Sequence, residues 1–243
     1  MVINMKLGVI TDIHNNVLAL KCVLEQLMRM NCDQIVCCGD IIGIGPYPEE
    51  TVNEMMRISN LIAVRGNHEK YLLEYMPTEY PNEAHMDYEE MAHHKWGHGC
   101  LSAASVAFLG KLPNRVDISS DGVRVSVMHS CMDHAGQYTH SVEHPTEQDL
   151  EKMFADVDSD VILYGHSHSR CICRGSKYYL NFGSLGCPGR EQNIARAGIV
   201  VLENGKVTAE PIDLEYDADE VVRAINRIHY PAAEEIKKHF YGV

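Results

Sequence analysis

A chain of 243 residues with 45% apolar content can bury one sizeable core, and a single α/β domain of this length is ordinary. A net charge of −13, with no cluster of Lys or Arg, argues against a partner as long and acidic as a nucleic-acid backbone. There is no run of about eighteen apolar residues to span a bilayer and no N-terminal cleavage site, and the nine cysteines form no CxxC pair; core thiols in a soluble, cytoplasmic protein are expected.

In chain order, a strand over residues 7–11 leads to the capping residues Asn15 and Asn16 and a helix over 17–30, apolar at 17, 20, 24, 27 and 28. A second strand, 34–38, ends at Asp40 and a Gly-containing loop, after which Pro48 opens a helix over 49–58. A third strand, 61–64, carries Gly66-Asn67-His68 at its end. It is followed by about forty residues of helical pattern holding His85, His93, His94, Trp96 and His98. This insert, about 70–112, is expected to cap the site.

Beyond Pro113 the pattern becomes a hairpin, 116–119 and 123–128, turning at Asp121-Gly122. Thr146 with Asp149 starts another helix, and strands follow at 161–164, 171–173 and 178–181. A hairpin over 198–211 turns at Asn204-Gly205. The final amphipathic segment, about 217–240, is broken by Pro231 into two helices docking on the outside. One domain over 1–243 is expected.

Five short patches close these strands with metal-binding side chains: Asp12-Ile13-His14, Gly39-Asp40, Gly66-Asn67-His68-Glu69, His129, and Gly165-His166-Ser167-His168. Each follows an apolar, β-branched run, so the ligands fall just past the carboxyl ends of strands, where open α/β sheets place their sites. Asp12 and His14 are two residues apart, as are His166 and His168, and in extended backbone that spacing turns both side chains to one face. One such pair carries little weight. Five in order specify a site for two metal ions.

The set resembles the calcineurin-like metallophosphoesterase superfamily, whose DxH, GD, GNH(E/D), H and GHxH signatures match these patches across residues 7–186. The resemblance implies two facing mixed β-sheets flanked by helices, with Asp12, His14 and His168 on one metal, Asn67, His129 and His166 on the other, and Asp40 bridging both. It implies His68, with Asp40, as the catalytic pair, and Asn67 and His68 beside the substrate. Two divalent ions, of Mn, Fe, Zn, Co or Ni, bring +4 against −2 from the two carboxylates, giving phosphate an electropositive centre in an acidic protein. Ions about 3.5–4 Å apart can share a hydroxide and clamp phosphate oxygens.

Two departures stand out. Gly43 occupies the place of the Asp that partners the catalytic histidine in the protein phosphatases of the superfamily, and the Arg of that motif is missing, so the chain looks more like the compact bacterial members. Residues 181–190 resemble their NPGSVG loop followed by Pro and Arg, with Phe182 in place of Pro and Gly189 between Pro188 and Arg190. Either Arg190 reaches substrate phosphate, or Gly183 and Gly186 only allow a tight turn under the site.

The stretch Gly43-Ile44-Gly45-Pro46 is similar to a loop of small phosphoesterases near the dinucleoside-polyphosphate hydrolases and implies a nucleotide-sized substrate. His134, His140 and His144 lie in a polar loop and are expected to be solvated. Trp96, with Leu101, Val106, Phe108 and Leu109, is expected on a buried helix face rather than stacked on a base. The function so implied is hydrolysis of phosphodiester or phosphoanhydride bonds in small nucleotides. A phosphomonoesterase and a non-catalytic protein-binding scaffold are the alternatives.

Overall fold

A computed structural model describes residues 4–82, 84–134, 136–139, 141–187 and 193–243. Its strands are β1 (Met5–Ile10), β2 (Gln34–Cys37), β3 (Leu61–Ala63), β4 (Arg115–Ser120), β5 (Val123–Met128), β6 (Val161–Leu163), β7 (Cys171–Arg174), β8 (Tyr178–Asn181), β9 (Ile194–Glu203) and β10 (Lys206–Glu215). Its helices are α1 (Val17–Arg29), α2 (Pro48–Met56), α3 (Asn67–Leu73), α4 (Tyr88–Gly99), α5 (Ala103–Leu109), α6 (Glu147–Met153), α7 (Ala218–Arg227) and α8 (Ala233–Ile236).

The strands form two mixed five-stranded sheets, ordered β10-β9-β1-β2-β3 and β4-β5-β6-β8-β7. Strand periodicity fixes how they pack. In β1, Leu7 and Val9 join Val36, Val200 and Leu202 in a core that meets Val125, Val127, Val161 and Leu163 of the second sheet, whereas Ile10 faces the opposite cluster with α1 residues Leu20, Val23 and Leu27. A third cluster, Phe154, Tyr164 and Tyr179 with Leu150 of α6, covers the outside of the second sheet. The layers therefore run helix, sheet, sheet, helix, as the resemblance implies.

Local chemistry sets the element boundaries. The Asn16 side chain accepts from Ala19 N at 3.1 Å to cap α1. Thr146 and Asp149 form a reciprocal capping box on α6. Asp121 and Gly122, like Asn204 and Gly205, both have positive φ, the requirement of a two-residue hairpin turn that matches strand twist.

Several expectations need correcting. The predicted strands run one residue too far at Thr11, Cys38, Val64 and Tyr164, because the chain leaves the ladder there to enter the site. The described residues between α3 and α4 are irregular, since Pro77 and Pro81 cannot continue a helix. After Pro231 the tail makes one turn of α8 and then a wide π turn, Lys237–Tyr241, rather than a second regular helix. Cys171 and Cys173 are only partly buried because β7 is a sheet edge, and Cys100 is exposed; none of the nine cysteines is in a disulfide. Among the described residues, no helix is long and apolar enough to cross a membrane.

Candidate metal centre

The loops after β1, β2 and β6, the start of α3 and the residue after β5 meet at one end of the two sheets. Asp12, His14 and His168 bring ligand atoms within 4.8 Å of one another, and so do Asp40, His129 and His166. Asp40 lies between the two groups: its Oδ2 is 3.1 Å from His129 Nε2 and 4.0 Å from His14 Nε2. Asn67 Oδ1 sits 3.0 Å from His129 Nε2 and 2.9 Å from His166 Nδ1. His14 and His168 present their Nε2 atoms to each other at 2.8 Å, beside Asp12 Oδ1.

The convergence does not arise as the sequence spacing suggests. Asp12, His14, Asn15, Asp40, His166 and His168 all have φ between 50° and 74°, half of the non-glycine residues in that left-handed region among those described. The DxH and HxH side chains therefore meet through tight turns beyond the strand ends, not across an extended pleat. Asp, Asn and His tolerate this conformation better than most residues, yet each costs on the order of 1–3 kcal/mol and persists only where its surroundings over-determine it.

Those surroundings are hydrogen bonds. Asp12 accepts from Thr11 Oγ1 at 2.7 Å and from His166 N at 3.1 Å. Asp40 Oδ1 accepts from His68 N at 3.0 Å, and a Cβ on Gly66 would lie 2.0 Å from that oxygen, so only glycine fits there. Buried Glu69 takes four backbone N–H groups: Asp40 and Gly66 on Oε2, Ile41 and Ile42 on Oε1, all at 2.7–3.0 Å. One carboxylate thus ties the Asp40 loop to the start of α3.

Two ring orientations are fixed from behind. His129 Nδ1 donates to Cys38 O at 2.8 Å and His14 Nδ1 to Ile42 O at 3.3 Å, turning each Nε2 toward the carboxylates. Burial pushes Asp40 up, but His129 and His68 outweigh it and hold the carboxyl well below its ordinary range. Burial likewise lowers His129, but Asp40 and Asp12 together with the Cys38 bond raise it to about 9. His14 falls to about 4 through burial and the neighbouring His168, and burial lowers His166.

Residues 181–187 underpin both histidine-bearing loops. Asn181 Nδ2 donates to Gly165 O at 3.0 Å and Ser167 Oγ at 3.2 Å, Ser184 Oγ donates to Asp12 O at 2.8 Å, and Leu185 N donates to Thr11 O at 3.0 Å. These contacts fit the reading of the glycine-rich loop as a turn beneath the site; Arg190 lies outside the described residues. The loop from Gly43 to Gly45 is pinned too: Asn15 Nδ2 donates to Gly43 O, and Gly45 N donates to Tyr230 Oη.

His68, 8% exposed, turns Nε2 toward Asp40 Oδ2 at 3.6 Å and is held well below its ordinary pKa by burial. His134 and His144 are exposed, as expected of loop residues, and His140 lies outside the described residues. Trp96 is partly buried and packs edge-on against Tyr230 at 4.8 Å. Sequence reasoning gave no role to Glu69, Asn181, Ser184 or Tyr138, whose ring stacks on His166 at 6.3 Å. Only Glu69 left a trace in the sequence, as an acid directly after Asn67-His68.

Two carboxylates, four imidazoles and a side-chain amide converge here, a mixed oxygen and nitrogen set suited to first-row divalent ions. Comparison with known proteins assigns the class. The model of the calcineurin-like phosphoesterase superfamily domain matches residues 5–205, and the chain belongs to that superfamily. An uncharacterized protein of Methanocaldococcus jannaschii is 27% identical over 93% of both chains.

Among solved structures, a metallophosphoesterase from Sphaerobacter thermophilus aligns with a TM-score of 0.73 at 23% identity, covering 98% of this chain and 99% of its own. A hypothetical protein from Pyrococcus horikoshii aligns with a TM-score of 0.79 at 19% identity over the same shares. Both likenesses are of fold.

Proposed function

We propose that this protein is a dinuclear metal-dependent phosphoesterase that hydrolyses phosphodiester or phosphoanhydride bonds of small nucleotide-like substrates. The observation that carries the reading is Asp40, whose carboxylate lies between the two ligand groups with His68 Nε2 at 3.6 Å. Asp12, His14 and His168 would hold one ion, Asn67, His129 and His166 the other, and Asp40 both. When bound, the ions would supply Lewis acidity toward phosphate oxygens and activate the attacking water near neutral pH.

The chain's own residues then have distinct tasks. Asp40, kept ionised, fixes the separation of the two ligand groups, while Glu69 holds the Asp40 loop against α3. His14 and His129, anchored through Nδ1 on backbone carbonyls, keep their Nε2 atoms aimed inward. His68, uncharged at neutral pH, donates an Nε2–H hydrogen bond to the phosphate or to the leaving oxygen, stabilising charge that develops there. The loop at Gly43 to Pro46, similar to one in small nucleotide hydrolases, supports a nucleotide-sized substrate.

The test is hydrolysis of bis(p-nitrophenyl) phosphate, diadenosine tetraphosphate and p-nitrophenyl phosphate with manganese. Diester or polyphosphate turnover that His68→Ala abolishes is the expected result. Turnover of the monoester alone would make the protein a phosphomonoesterase. Silence on all three with several metals would overturn the enzymatic reading in favour of a scaffold.

A further inference from the structure

The far side of the His68 ring has no hydrogen-bonding partner. Its Nδ1 is buried and unpaired. A Cβ on Gly43 would lie 2.4 Å from that nitrogen and 2.8 Å from Cγ, so no side chain, and hence no carboxylate, can approach from residue 43. The ring is instead enclosed by other rings: His14 edge-on at 4.7 Å, His94 at 4.8 Å with planes 37° apart, and Tyr71 edge-on at 5.8 Å.

Of these, His94 makes no hydrogen bond among the described residues. It is 1% exposed, both ring nitrogens lack hydrogen bonds, and its nearest carboxylate, Glu90, is 3.9 Å away. It is itself backed by His93 at 4.5 Å and Tyr71 at 5.5 Å. Five buried ring nitrogens of His68, His93, His94 and His98 lack hydrogen-bond partners among the described residues. The group is thus held by packing rather than by hydrogen bonds.

We infer that His94 of α4 is a positioning residue for His68, its ring wedging the catalytic imidazole against the Gly43 loop where a hydrogen-bonded partner is absent. The role depends on the phosphoesterase reading only for its effect on turnover. A χ rotation of His68 moves Nε2 away from Asp40 Oδ2, and displacements of about 1 Å in reacting groups cost up to about 100-fold in rate.

The experiment compares His94→Ala with His94→Phe, which keeps a flat ring without nitrogens, by steady-state kinetics and by imidazole NMR of His68, its resonances assigned by their loss in His68→Gln. In His94→Ala, kcat is expected to fall about 10- to 100-fold with KM and metal content little changed, and the His68 signals to shift or split. His94→Phe is expected to restore most of kcat and a single His68 environment.

Unchanged His68 signals in His94→Ala, or a Phe variant as impaired as the Ala variant, would overturn the inference. Should His94→Ala fail to fold, His94→Leu, which keeps bulk without a flat ring, takes its place with the same expectation. If the wild type cleaves no phosphoester the proposed function falls, while the His68 resonances still decide whether His94 holds the ring.

Discussion

Asp40 and His68 face each other across 3.6 Å, yet the side chains behind them are held by different means. On the ligand side, the carboxylates and His129 are fixed by directed hydrogen bonds: Thr11 and His166 to Asp12, His68 N to Asp40, four amides to Glu69, and the Cys38 carbonyl to His129. On the α4 side, the imidazoles of His68, His93, His94 and His98 pack at tilted angles, with five of their eight ring nitrogens unpaired among the described residues. Buried charge demands donors, because an uncompensated carboxylate costs several kcal/mol, whereas an uncharged imidazole can be located by shape alone. The two flanks should therefore fail differently when broken.

The largest effect is expected on the ligand side. Asp40→Asn removes the charge shared by both ligand groups and should lower turnover by at least about 10³-fold, with loss of bound metal seen by elemental analysis. If it cost no more than replacing His94, the distinction between the flanks would collapse. Glu69→Ala should act through stability. It strands four buried N–H groups and should cost roughly 3–5 kcal/mol by urea unfolding, against a smaller loss for Glu69→Gln, which keeps one acceptor.

The two flanks also differ in how far the sequence announces them. Asp12, Asp40, His129 and His166 stand at the ends of strands whose β-branched runs and turn residues are local signals, and Asn204-Gly205 is legible for the same reason. What the sequence hides is non-local. The left-handed turns that bring Asp12 to His14 depend on the 181–187 loop, which donates hydrogen bonds to the carbonyls of Thr11 and Asp12, Ser184 from 172 residues away in the chain. Nothing in the spacing of His93, His94 and His98 tells which of them stacks on His68, since the register of α4 against α3 is set by packing. The irregular residues 74–82 and 84–87 show the limit of periodicity where prolines intervene.

Proton linkage sharpens the comparison. Asp40 raises His129 to about 9 in the metal-free protein, so His129 carries a proton at neutral pH that an ion on Nε2 must displace. Metal affinity is accordingly expected to climb with pH, by up to about tenfold per unit below pH 9, and to level off above it. Titration calorimetry in buffers of differing ionisation enthalpy should register about one proton released at pH 7 as the group containing His129 fills. His94 lies on the other flank, and replacing it should leave that proton count unchanged.

The smallest effect tests whether the 131–139 loop belongs to the braced flank or the stacked one. Tyr138 uses both devices: its hydroxyl donates to Arg65 O at 3.0 Å, and its ring lies nearly parallel to His166 while Lys70 sits 5.1 Å from the ring and donates to Gly136 O. Tyr138→Phe removes only the hydroxyl bond, so a loss of about 0.5–1.5 kcal/mol in stability with nearly unchanged kcat is expected. Tyr138→Leu also removes the stacked ring and should weaken binding at the His129 and His166 side, measured as metal affinity, while leaving the His68 resonances in place. A Phe variant as damaging as the Leu variant would mean that hydrogen bonding, not ring contact, holds this loop, and would extend the braced flank across His166.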